Sequence, residues 1–99
     1  MANEMSFELS KLALKDINDI WLFTVEQWSV NQANIYYKQL FKSIDSICEN
    51  PEIGKSIAEV KMDHRMLVVK TLLIIYKVQK HHIYIDRILH QSMDIDAEM

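Results

Sequence analysis

Two arginines and two histidines in the second half of the chain carry the side chains that cleavage of a nucleic acid requires. Cleavage needs basic groups around the phosphate, to stabilise developing charge, and an acid/base pair. Arg65 and Arg87 are the only arginines, and they approach each other if the strands pair as predicted. His64 and His90 have side chains suited to acid and base roles near neutral pH. Two arginines are few for such a site, so we favour pairing with nearby acids first, contact with a partner second and catalysis last. We predict no catalytic residue.

Other chemistry-bearing residues form no recognisable motif. His81 and His82 are adjacent, and adjacent strand residues point to opposite faces, so they suit a solvated hairpin tip better than a metal site. Cys48 has no Cys or His at metal-ligand spacing and suits helix packing. A single glycine, Gly54, cannot build a phosphate-binding loop. We therefore predict no metal and no cofactor.

Composition and charge narrow the class of protein further. The 99 residues, 1–99, fit one domain, and 11 basic against 14 acidic residues give a net charge of −3. Direct, sequence-specific binding of nucleic acid is disfavoured, because phosphate binding needs a clustered basic surface. The lone Cys48 favours a cytoplasmic location, and the sequence has no apolar run long enough for a membrane span.

The first half of the chain predicts a strand and two helices. Polar and apolar residues alternate over residues 6–10, which indicates a short strand, and Ser10 is a good helix N-cap. Apolar residues then recur at three- and four-residue steps to Trp28. Ser29 and Gln32 form a capping box for a second helix that reaches about Cys48, and the short connection makes the pair an antiparallel hairpin. Both tryptophans and the Tyr36/Tyr37 pair are expected on core faces.

The second half predicts a sheet. Asn50-Pro51 ends the second helix, and residues 53–63 are interpreted as a connector. Three β-rich runs follow at 64–70, 72–79 and 83–90, separated by short polar breaks. The fold class is therefore α+β: an N-terminal strand, an antiparallel two-helix hairpin and a three-stranded antiparallel meander.

Five segments of the chain follow the pattern of a known family. The first half carries FELSKLALKDINDIWLFTVEQWSVNQANIYYKQL, and the segments ENPEIGKS, HRMLVVK, LLIIYKV and RILHQSMD follow in the family's order. In these segments the chain resembles the ParE toxins of the RelE/ParE superfamily. The similarity covers residues 7–94. Three positions depart from the family's pattern: Lys70-Thr71-Leu72 replaces Gly-Ser-His at the first sheet turn, Ser29 replaces a Gly between the helices, and Asp86 stands where an apolar residue is common. Without a glycine for positive φ, the turn at Lys70 is expected to be looser or of another type. The carboxylate of Asp86 must reach solvent or pair with a neighbour.

The resemblance implies the RelE/ParE fold and a toxin of a type II toxin–antitoxin module. It also implies inhibition of DNA gyrase by protein binding, and neutralisation by a ParD-like antitoxin that lies in an apolar groove. The alternatives are a RelE-like, ribosome-dependent messenger RNA endonuclease and a ParE-fold interaction protein without toxicity.

Two sets of residues are expected to contact partners. Apolar residues that the two layers leave uncovered, and an apolar strand with both parities, predict a surface for a second protein. The candidates for the antitoxin groove are Leu14, Leu22, Val25, Ile35, Met66 and Val68. The resemblance places target contact in the C-terminal part, and the candidates there and on the sheet are Arg65, Arg87, His90, Met93 and Asp94.

Overall fold

A helical hairpin covers one face of a five-stranded sheet. The computed structural model describes residues 5–91, so Met93 and Asp94 lie outside the described residues. Its elements are β1 (Ser6–Leu9), α1 (Lys11–Gln27), α2 (Val30–Glu49), β2 (Lys55–Ser56), β3 (Arg65–Val69), β4 (Leu72–Gln79) and β5 (His82–His90). The strands are arranged in the order β1-β5-β4-β3-β2. The predicted α+β class is confirmed.

Both predicted helix starts are confirmed by side-chain caps. The Ser10 hydroxyl accepts a hydrogen bond from the Ala13 amide at 2.9 Å, and the Ser29 hydroxyl accepts one from the Gln32 amide at 3.0 Å. Each bond satisfies a backbone N–H that has no partner within its helix. Between the helices, the amides of Trp28 and Ser29 both donate to the Thr24 carbonyl, which closes the turn.

Two of the four aromatic residues expected on core faces lie outside the core. Trp28 and Tyr37 are exposed. Trp28 lies at the C-cap of α1, beyond the last helical turn, so the helical periodicity that assigned it to the core no longer applies there. The ring of Tyr37 lies between Trp21 and Phe41 at the rim of the hairpin.

The predicted three-stranded antiparallel meander is confirmed, and the complete sheet is mixed because of a parallel strand at one edge. β3, β4 and β5 are antiparallel as predicted, but β1 pairs with β5 in parallel, Phe7 opposite Ile83. The two-residue strand β2 pairs with β3 inside the segment interpreted as a connector. Two residues are too few to show an alternating pattern.

The turns of the meander are tight, although they have no glycine. Val69 pairs with Leu72 and Gln79 with His82, so each loop contains two residues. The positive φ that the first turn requires is supplied by Lys70 at 55°, and Lys80 does the same at 46° in the second. Of the two expectations for the first turn, the looser turn is wrong, because the loop has only two residues. A lysine takes the left-handed conformation there, at some energetic cost.

The core lies between the hairpin and one face of the sheet. It is built from buried side chains of both helices and of the two central strands: Ala13, Ile20, Leu40, Ile44, Ile47, Cys48, Leu72, Ile74, Tyr76, Ile83, Ile85 and Ile88. Leu67 of β3 packs against this cluster, whereas its neighbours Met66 and Val68 point to the other face.

Candidate functional site

Arg87 is bound to a buried carboxylate of the first helix. Its Nε and Nη2 each donate to an Asp16 oxygen at 2.8 Å, and Asp16 also accepts from the Ile88 amide at 2.9 Å. Asp16 is buried, so the forked pair and the amide together offset the cost of removing its charge from water. Arg87 therefore pairs with an acid, as favoured, but the acid is Asp16 of α1, which was not predicted.

Where β1 ends, Ser10 and Asp16 continue the hydrogen bonding to β5. The Ser10 amide donates to the Ile85 carbonyl at 3.0 Å, and the Ser10 hydroxyl donates to the Asp86 carbonyl at 2.7 Å. The carboxylate of Asp16 then takes the Ile88 amide. The first turns of α1 thus satisfy backbone groups of β5 that have lost their neighbouring strand.

Arg65 holds the segment that follows the second helix. Its Nη1 donates to the Gly54 carbonyl at 2.7 Å, and the Gly54 amide donates to the Tyr76 hydroxyl at 2.9 Å. That hydroxyl donates in turn to the Pro51 carbonyl at 2.8 Å. Burial raises the pKa of Tyr76, against the opposing effects of the Gly54 amide and Arg65. Arg65 has a structural role in the described chain.

His90 is a core residue. Only 1% of it is exposed, its Nε2 lies 3.2 Å from the Thr71 hydroxyl, and the rings of Phe23 and Tyr36 lie 6.0 and 5.2 Å away. Burial lowers the pKa of His90. Its position corrects the expectation that it contacts a target, because a side chain so enclosed presents almost no surface to a partner.

Asp86 satisfies the condition set by its charge. Its carboxylate pairs with Lys61 and lies 3.4 Å from Nε2 of His64, and both of these residues precede β3. At the start of β5, His82 Nε2 lies 3.2 Å from Glu8 Oε1 of β1. His82 thus contacts an edge strand instead of forming a purely solvated tip with His81.

These positions do not assemble a nucleolytic centre. Arg65 lies opposite Tyr76 and Arg87 opposite Ile75, so the two arginines lie in neighbouring rows with β4 between them, and each is bound elsewhere. Across residues 5–91, no three His, Cys, Asp or Glu side chains are grouped to hold a metal ion. No helix of that same range is long and apolar enough to cross a membrane.

The six residues predicted to form one groove lie on two sides of the molecule. Leu14 and Leu22 on α1 are 54% and 51% exposed, and Ile35 on α2 is exposed as well. These three face away from the core on the helical side, with Val25 partly buried beside them. Val68 is 52% exposed, and it lies with the partly buried Met66 on the outer face of the sheet. The prediction of a single groove is wrong, because the core separates the two sets.

Among residues 5–91, the two most exposed large apolar side chains are not among the predicted partner contacts. Val60 and Met62, between β2 and β3, are 73% and 77% exposed. Helical and strand periodicity assign apolar residues to faces only within regular elements, and this segment has none. The sequence signal that could have identified them is the presence of two apolar residues in a connector of otherwise mixed charge.

Comparison with known proteins identifies the family. The family model described as "ParE toxin of type II toxin-antitoxin system, parDE" matches residues 7–95. Toxin ParE1 of Mycobacterium tuberculosis is 34% identical over 92 residues, which cover 92% of this chain and 94% of that toxin. Toxin ParE1 of Caulobacter vibrioides is 31% identical over 93 residues, covering 94% and 96%. The family model and both relatives are described as toxins.

Solved structures agree on the fold. A chain of the chromosomal ParDE TA system from P. aeruginosa superimposes with a TM-score of 0.76 at 17% identity, over 89% of this chain and 97% of that one. A conserved hypothetical protein from Helicobacter pylori gives 0.53 at 15% identity, over 89% and 96%.

Proposed function

The chain belongs to the ParE toxin family of type II toxin–antitoxin systems, and we propose on that premise that it inhibits DNA gyrase by protein binding and is neutralised by a ParD-like antitoxin. The observation that carries the proposal is the family match over residues 7–95 together with apolar side chains exposed on both layers. The protein acts in the cytoplasm, where both partners are found.

The polar contacts of the sheet favour binding over catalysis. Both arginines are held in place by internal partners, Arg87 by a buried carboxylate and Arg65 by a backbone carbonyl. A ribonuclease would need such groups free to meet a scissile phosphate. Met93 and Asp94, which the family resemblance implies as target contacts, stay in the proposal.

The antitoxin is proposed to cover the helical side first. Leu14 and Leu22 are eight residues apart on α1, so their side chains lie about 80° apart around the helix and two turns apart along it. An exposed apolar surface of this kind suits an amphipathic helix of a partner. Val68 and Met66 on the opposite side would need a second segment of the antitoxin, which must pass around the edge of the sheet.

The function is tested with the purified chain and purified gyrase. We expect loss of supercoiling activity in proportion to added toxin, and filamentation with DNA-damage signalling when the chain is induced alone. Met93→Ala and Asp94→Asn should weaken inhibition while antitoxin affinity stays unchanged. Rapid arrest of translation with cut messenger RNA would instead establish the endonuclease alternative, and harmless overproduction would establish a non-toxic interaction protein.

The antitoxin surface is tested with charge substitutions at three exposed apolar positions. Leu22→Glu on the helical side should lower the affinity for the cognate antitoxin at least tenfold, because it places a charge in an apolar contact. Val60→Glu, outside both surfaces, is the matched control and should leave affinity unchanged. Val68→Glu reports whether the outer face of the sheet is covered too. Equal affinity for all three variants contradicts the proposed surface.

A further inference from the structure

We propose that His64 and Asp86 form a pH-dependent latch that holds the segment between β2 and β3, residues 57–64, against β5. This observed segment replaces the predicted range 53–63 and is called the connector below. The connector runs from the end of β2 to the start of β3 and carries the exposed Val60 and Met62. Two of its side chains, Lys61 and His64, contact the carboxylate of Asp86. The connector leads into β3, and β4 lies between β3 and β5 in the sheet.

The hydrogen bonds of His64 determine what a proton does there. Its Nδ1 lies 2.7 Å from the Met62 carbonyl, which can only accept, so Nδ1 carries a hydrogen. In the neutral ring Nε2 then has a lone pair, and this lone pair faces the Asp86 carboxylate at 3.4 Å. A second proton converts Nε2 into a donor and gives a charge-assisted hydrogen bond to Asp86. His64 is buried, so little water competes for this contact.

The charges around His64 come from every element beside it. The carboxylate of Asp86 on β5 faces Nε2, and Lys61 of the connector shares the same carboxylate oxygen. Lys77 of β4 and Arg65, the next residue in the chain, line the same groove as His64, together with Asp63. Because Lys61 binds Asp86 at either state of His64, loss of the proton weakens the attachment of the connector without abolishing it.

The bulge of β5 aims Asp86 at the connector. Tyr76 pairs with Ile85 and Ile75 with Arg87, so Asp86 is the extra residue, and the Ser10 hydroxyl fixes its carbonyl. An extra residue of this kind reorients the side chains of its strand locally.

Hydrogen exchange measures the latch directly in the full chain. Within the connector the Ile57 amide donates to His64, Val60 and Lys61 donate to Ile57, and His64 donates to Lys61. We expect the protection factors of these amides, corrected for the intrinsic rate, to be about five- to tenfold higher at pH 5.5 than at pH 7.5. Amides of β4 serve as the reference for changes in global stability.

Matched variants separate the latch from other effects of pH. His64→Gln keeps a donor for the Met62 carbonyl but has no ionisable proton, so the pH ratio should fall to about one; Asp86→Asn should do the same if His64→Gln does not fold. His82→Gln, at the start of β5, should keep the wild-type ratio. A wild-type ratio of one, or an unchanged ratio in folded His64→Gln or Asp86→Asn, overturns the proposal.

Discussion

The guanidinium of Arg87 and the carboxylate of Asp16 form a forked pair with two hydrogen bonds of 2.8 Å, across a sequence separation of 71 residues. The pair joins the last strand to the first helix, and the same carboxylate binds the Ile88 amide. A substitution of Arg87 is therefore expected to disturb the fold itself, whatever its effect on contact with a target.

Arg87→Ala should destabilise the fold by about 2–4 kcal/mol, because it leaves the Asp16 charge buried without its cation. The free energy of unfolding in urea measures the effect, and Asp16→Asn in the same background should recover part of it. Asp19→Ala, which breaks an exposed pair with Lys15, is the control and should change stability by less than about 1 kcal/mol. Equal effects of Arg87→Ala and Asp19→Ala would refute the role of the buried pair.

Gly54→Ala should destabilise the protein by about 1–3 kcal/mol because of overpacking. A Cβ at this position would lie 2.7 Å from the Tyr76 hydroxyl and 2.8 Å from its ring. The ring is fully buried and its hydroxyl is bound to Pro51, so it has little freedom to move. The measurement is the urea midpoint of four proteins: the wild type, Gly54→Ala, Tyr76→Phe and the double variant. We expect the effects of the two substitutions on stability to be coupled. Strict additivity would contradict the close approach.

Thr24→Val should stabilise the fold by about 1 kcal/mol, since it removes a buried hydroxyl that lacks a partner. Thr24 is fully buried, and no described residue offers its Oγ1 a hydrogen bond. It lines a cavity of about 20 Å³ between the helices, whose other walls are largely apolar. Thermal unfolding tests this, with Thr24→Ser as the control: serine keeps the hydroxyl, loses a methyl group and should be less stable than the wild type.

Stability should fall as the pH is lowered below about 6.5, the ordinary pKa of histidine. Burial lowers the pKa of His90 in the folded protein, so below that pH the unfolded chain binds the proton more readily. The contribution is present above the unfolded pKa and is lost at a slope of at most about 1.4 kcal/mol per pH unit for one group. Urea titrations at pH 7.5, 6.0 and 5.0 should show this decline, and His90→Gln should flatten it. The His64→Gln background isolates the contribution of His90, because it removes the other buried histidine.

Local rules accounted for the helices and the central strands. Ser10 and Ser29 are N-caps whose role depends on amides three residues away, which sequence spacing specifies directly. The meander followed from apolar runs of strand length, and the prediction that Asp86 must pair or reach solvent followed from its charge alone.

Contacts between distant segments were beyond sequence spacing. Nothing local indicates that Asp16 binds Arg87 or that Arg65 holds Gly54. The single groove was predicted wrongly for the same reason. Helical phase and strand parity assign each residue to a face of its own element, but they do not tell on which side of the molecule that face lies.

The extra residue in β5, Asp86, also fixes the number of residues that the strand must have between its core positions. Ile83 and Ile85 are buried two positions apart, but the next core residue, Ile88, follows after three, and Ile74 meets it across the ladder. Strict alternation would send Ile88 to solvent. Removing or adding one residue between Ile85 and Ile88 would therefore turn half of the strand inside out, so we expect indels here to be far more damaging than substitutions of Asp86 itself.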